Sequence, residues 1–175
     1  MIRTNRLILR GWQDTDRRPL AEIVGNPQVM RYFHLTRNRE QSDAWIARSQ
    51  AHIDKHGFGI WAVEILKTSE LIGFVGLSTV PDYLPCAPTI EAVWTLSDAY
   101  WRHGYCAEAA QATMTDGFSR LGLSEIVAFT AAINIPSRCI MEKLGMIYDV
   151  GGDFIHPRIP TGHALAPHVL YRKQK

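Results

Sequence analysis

Apolar residues along the chain fall into two kinds of spacing, and their order predicts strands alternating with helices. Arg6-Leu7-Ile8-Leu9-Arg10 is apolar at its centre and charged at its ends, which suits a first strand. A helix follows from a cap at Asp14 or Thr15 to the stop at Gly25-Asn26-Pro27. Asn38 with Gln41 three residues on has the form of a capping box, and it opens a second helix reaching Lys55 before Gly57. Gly59–Ile65 and Leu71–Leu77 are apolar runs joined by Leu66-Lys67-Thr68-Ser69-Glu70, the pattern of a hairpin. Pro81, Pro85 and Pro88 then exclude regular structure.

Period two returns from Thr89 to Leu96, where Ile90, Ala92, Trp94 and Leu96 point one way and Glu91, Val93 and Thr95 the other. One carboxylate therefore lies among apolar neighbours. Period 3.6 takes over at Ala107, Ala110, Met114, Phe118 and Leu121, a helix face that stops at Gly122. Ile126–Thr130 reads as an interior strand, Pro136 and Gly145 bracket a fourth helix, and strands are expected at Met146–Tyr148 and Val169–Tyr171. No repeat or linker interrupts the pattern, so residues 1–175 are expected to form one mixed α/β, or α+β, layer structure.

Composition narrows the function classes. The chain has 175 residues, 46% of them hydrophobic and 21% charged, and a formal net charge of only +2, which implies no global attraction to nucleic acid or membrane. An anionic ligand has to be held locally. The five tryptophans are scattered without basic interleaving, which fits core packing and not base stacking. Three cysteines without a CxxC spacing suggest reduced thiols. The N-terminus runs into a strand without the apolar region of a signal peptide, so a cytoplasmic protein is expected. His156, His163 and His168 lack the partner set of a metal site, and no metal is expected.

Trp101-Arg102-His103-Gly104-Tyr105-Cys106-Ala107 links the alternating strand to the helix after it. The free N–H groups and dipole of such a helix start suit a phosphate, and Arg102 can add a charge-assisted bond. The same bend also reads as an ordinary strand-to-helix turn. It is neither a Walker A loop nor GxGxxG.

This turn, with Asn134-Ile135-Pro136-Ser137, Glu142-Lys143-Leu144-Gly145-Met146, Thr4–Arg10 and Glu91-Ala92-Val93-Trp94, resembles the GNAT superfamily of acyl-CoA-dependent N-acetyltransferases. The superfamily turn reads Gln/Arg-x-x-Gly-x-Gly/Ala; Trp101 and Cys106 depart from it and Gly104 keeps it. The aromatic-x-x-Gly-Tyr-x-x-Glu-Ala form is similar to the RimJ/RimL-like, ribosomal-protein branch.

The resemblance implies a mostly antiparallel sheet of six or seven strands, split by a V-shaped opening and flanked by about four helices. It also implies a strand that parts from its neighbour after Leu96, with backbone free for the pantetheine arm of acetyl-CoA, and a turn from Arg102 through His103, Gly104, Tyr105 and Cys106 to Ala107 holding the pyrophosphate. Glu91 stands where many members carry a general base, and Ser137 near the cofactor sulfur, where a hydroxyl can donate to the departing thiolate. Asn134 would cap the helix or bond the pantetheine arm. Alternatives at these positions are a strand glutamate serving solubility, two helix caps, and Tyr148 or water as the proton donor. The expected acceptor is a primary amine on a peptide or small molecule, and a homodimer is a family-level expectation. A non-catalytic acyl-CoA sensor and an interaction module using the Pro81–Pro88 loop remain as rivals.

Overall fold

The computed structural model describes residues 1–175. Along the chain come β1 (Ile2–Arg3), β2 (Leu7–Arg10), α1 (Arg17–Gly25), α2 (Arg39–His56), β3 (Ile60–Ile65), β4 (Glu70–Thr79), β5 (Ile90–Leu96), α3 (Tyr105–Ser119), β6 (Glu125–Ala131), α4 (Ile135–Lys143), β7 (Ile147–Tyr148), β8 (Phe154–Ile155) and β9 (Pro167–Gln174). The strands form one sheet in the order β1-β2-β3-β4-β5-β6-β9-β7, with β8 paired to β9. Every pairing is antiparallel except β5 with β6. The count of nine strands exceeds the expected six or seven because β1 and β8, two residues each, are too short to carry a period.

Local chemistry fixes the helix ends. At α2 the Asn38 side chain accepts from the Gln41 N–H at 2.9 Å, and the Gln41 side chain accepts from the Asn38 N–H at 3.0 Å, so the expected capping box closes in both directions. The first helix is entered through a 3-10 turn at Asp14–Asp16, where Asp16 is nearly buried. Both Asp16 oxygens accept from Arg10, at 2.7 and 2.9 Å, and Arg10 also donates to Glu64 at 2.7 Å. That buried triad pins the start of α1 to β2 and β3. The third helix begins at Tyr105, two residues ahead of its expected start, because Gly104 supplies the turn at φ +80°.

Two apolar clusters fill the molecule. The larger joins Leu7, Leu9, Leu20, Val24, Ile72, Met114 and Ile126, each at most 1% exposed. The smaller lies under the proline loop and joins Val80, Leu84, Cys86, Val127 and Leu170. Within the loop Leu84 and Cys86 turn inward, while Tyr83, Pro85 and Pro88 stay exposed. No helix is long and apolar enough to cross a membrane.

Candidate active site

The expected split lies between β5 and β6. β5 pairs with β4 throughout, from Thr79↔Ile90 to Gly73↔Leu96, but meets β6 at one position, Glu91↔Val127. Beyond that bridge the strands part. A cavity of about 1380 Å³ occupies the opening and is lined by β5 from Glu91 to Leu96, the 102–107 turn, Asn134 and Ser137, among others.

Strand alternation gives the cavity two faces. Trp94 marks one of them: its indole N–H donates to Ser137 Oγ on α4 at 3.1 Å. Indole only donates, so Ser137 Oγ is the acceptor there and its own O–H remains available to the cavity. Asn134 caps α4 by accepting from the Ser137 N–H at 3.3 Å, and donates to Thr130 Oγ1 at 2.8 Å. The helix-cap reading of Asn134 is realised, and it holds Ser137 in place.

Glu91, Val93 and Thr95 point to the opposite face. Glu91 is half-buried, and desolvation pushes its carboxyl up to about 8. The cavity is also lined by residues of α2, by the segment from Tyr32 to Arg37, and by His156, Arg158 and His168. Burial holds both of these histidines below their ordinary proton affinity. Their rings stand 5.0 Å apart, and no cluster of three or more His, Cys, Asp or Glu has the arrangement of a metal site.

At the turn, Arg102 (φ +65°) and Gly104 (φ +80°) are both left-handed, which folds successive N–H groups toward one concavity. α2 and α4 have side-chain caps; α3 has none, so its first N–H groups are left for a ligand. His103 stacks on Tyr105 at 5.8 Å between centroids, and its Nδ1 lies 2.8 Å from the Trp101 carbonyl. The Leu96 carbonyl accepts from the Trp101 indole at 2.9 Å, tying the end of β5 to the turn.

Arg6, which composition and spacing do not single out, braces the turn from below. It donates to the His103 carbonyl at 2.9 Å, lies 4.4 Å from the Tyr105 ring centroid and pairs with Glu108 at 2.6 Å. Burial alone would raise Glu108, but hydrogen bonds from Thr4 and Arg6 with the Arg6 charge hold its carboxyl below the usual range. The carboxylate in the first turn of α3 is thereby neutralised. The contact spans 102 residues of sequence, so no periodicity announces it.

Two other side chains sit badly for chemistry. Tyr148 does not line the cavity, and its O–H is committed to Asp153 at 2.5 Å. Burial pushes the Cys106 thiol up to about 12, which leaves almost no thiolate near neutrality for an acyl-enzyme.

Comparison with known proteins bears on the fold and the family. The Acetyltransferase (GNAT) domain family matches residues 6–147. YoaA, an uncharacterized N-acetyltransferase of Bacillus subtilis, is 31% identical over 149 residues, 83% of this chain and 81% of its own. A GNAT-family acetyltransferase structure from Bacillus anthracis superposes with a TM-score of 0.82 at 26% identity, covering 99% of this chain and 97% of its own. A spermidine N-acetyltransferase of Vibrio cholerae, solved with coenzyme A and spermine, shares the fold at TM-score 0.76 and 17% identity, over 98% of this chain and 96% of its own. A split sheet with an uncapped helix start at its mouth, and a family match over residues 6–147, make this chain a member of the GNAT acetyltransferase family.

Proposed function

We propose that residues 1–175 act as one domain that transfers the acetyl group of acetyl-CoA directly to a primary amine, and that the chain is a cytoplasmic enzyme of the RimJ/RimL-like branch. The observation that carries this reading is the pairing of an uncapped, doubly left-handed turn at 102–104 with a strand split that starts at Glu91. The residues present fit the cofactor: backbone N–H groups from Arg102 to Ala107 and the Arg102 guanidinium suit the pyrophosphate, and the β5 edge to Leu96 suits the pantetheine amides. The thioester would then lie in the opening, with Ser137 on one side of it and Glu91 on the other.

In that arrangement the acceptor arrives as an ammonium ion and Glu91, once ionised, takes a proton from it directly or through water. The freed nitrogen attacks the thioester carbonyl carbon and sheds its second proton to water as the C–S bond breaks, and Ser137 O–H donates to the departing sulfur while the Trp94 indole keeps its bond to Ser137 Oγ. Serine regains its proton from solvent, and Glu91 releases the one it took to solvent before the next turnover. The raised proton affinity of Glu91 suits it to hold that proton once taken, at the cost of a smaller ionised fraction at neutral pH.

The test is to supply acetyl-CoA with a panel of amines and follow both the 42-dalton mass gain, about one acetyl group, and the release of free thiol. Amine-dependent thiol release is expected. Binding of acetyl-CoA without turnover on any amine would support the sensor reading instead.

A further inference from the structure

The cavity wall carries five cationic side chains, Arg37, Arg48, Arg102, Lys143 and Arg158, against one carboxylate, Glu91. Three of the cations lie on other parts of the wall. Arg102 belongs to the phosphate turn, Lys143 to α4 on the Ser137 side, and Arg158 lies 3.9 Å from the Tyr83 ring centroid. Arg37 and Arg48 come from α2 and the segment before it, where the Arg37 guanidinium has the Trp45 ring beside it and the Arg48 guanidinium has no partner.

Register places these two on the Glu91 face. The Trp45 ring on α2 packs 4.7 Å from Phe74, and Phe74 is the β4 partner of Thr95, which shares its face with Glu91 and Val93. The Arg37 guanidinium lies 5.3 Å from that Trp45 ring, and Arg48 follows Gln41 and Ala44 on the one side of α2 that lines the cavity. Neither guanidinium has a carboxylate within salt-bridge distance or any side-chain hydrogen bond in the protein. Arg37 is half-buried; its own desolvation, then the nearby Arg48 charge, weaken its hold on its proton. Half-buried beside a second cation, Arg37 lacks the anion that would offset its desolvation.

We infer that the acceptor carries a carboxylate beside its amine, and that Arg37 and Arg48 clamp that carboxylate while the amine is presented to Glu91. The inference rests on the acetyl-transfer reading and names its substrate class: an amino acid, or a peptide with an acidic residue next to its N-terminus. Both offer the same chemistry, an ammonium and a carboxylate a few bonds apart. A polyamine offers only positive charge, to a face whose one carboxyl is mostly protonated at neutral pH.

Matched pairs test it. L-serine is compared with serinamide, the amidated peptide Ser-Glu-Gly with Ser-Gln-Gly, and spermidine is added as a fifth acceptor; each is measured by thiol release and by calorimetric binding to protein saturated with coenzyme A. One carboxylate member is expected to exceed its amide by at least about tenfold in kcat/KM or in affinity, the size of a charge-assisted contact, and which pair responds tells the amino acid from the peptide. In R37M and R48M that ratio should fall toward one, R37K should restore part of it, and affinity for coenzyme A should hold. Equal use of acid and amide, preference for spermidine, or an R37M defect confined to coenzyme A binding would overturn the inference. If no amine turns over, acetyl transfer itself fails; calorimetric selectivity still decides the carboxylate site.

Discussion

A glutamate whose carboxyl is lifted to about 8 leaves two measurable traces, one in rate and one in stability. Acetyl transfer should rise with pH as Glu91 ionises, with kcat/KM for the amine levelling above about 8, and Glu91→Gln should lower kcat by about 10²- to 10³-fold and abolish that limb. The stability trace runs the other way. Between its ordinary range and about 8 the native state binds a proton that the unfolded chain has released, so Glu91 costs stability as pH rises through that window. Glu91→Gln should therefore be more stable than the parent at pH 8, on the order of a few kcal/mol, and equal to it near pH 4, as urea titrations at the two pH values would read. Ser137→Ala should slow thiol release about tenfold or more, and Trp94→Phe should perturb it less, since it removes the bond that orients the hydroxyl and not the proton itself. At this scale the sequence was informative only in part. Period two placed Glu91 on its own side of β5, but its role and that of Ser137 came through resemblance, and Arg37 and Arg48 were invisible because only the packing of Trp45 on Phe74 brings them to the cavity.

Among the elements, the 102–107 turn, proposed to hold the pyrophosphate, depends on a brace far away in sequence. Losing Arg6 would free the His103 carbonyl and leave the Glu108 charge uncompensated beside the anion site. R6M should raise the KM for acetyl-CoA several-fold, and adding E108Q should recover part of the loss because the repulsive charge is gone; steady-state kinetics on the single and double variants measures the coupling. The Arg10, Asp16 and Glu64 triad has a structural task. D16N should cost about 3 kcal/mol in chemical denaturation, since Arg10 is then left with a single carboxylate in a nearly buried site. Element boundaries were legible where a side chain enforces them, as with Asn38 and Gln41 at α2. They were not legible where two residues make a strand, as at β1 and β8, or where a left-handed glycine starts a helix ahead of its apolar stripe, as at α3.

Across the whole molecule, function comes from one failed pairing. A sheet with β5 and β6 zipped to their ends would have no cavity; parting after Glu91 leaves one about 1380 Å³ in volume, lined by the 102–107 turn and by Arg37 and Arg48. Hydrophobic periodicity predicts which runs become strands, yet it is silent on where two adjacent strands stop pairing, so the split could enter only through resemblance. A ligand held in that opening links the sheet halves, and coenzyme A at 100 times its dissociation constant should add about 2.7 kcal/mol to stability. The most direct test is calorimetric titration of coenzyme A into the parent protein and into Gly104→Val, where any side chain would strain the turn at φ +80°. The account predicts one site per chain in the parent and at least a tenfold weaker one, on the order of 1.4 kcal/mol, in the variant. No heat of binding in the parent, or equal affinity in both proteins, would contradict it.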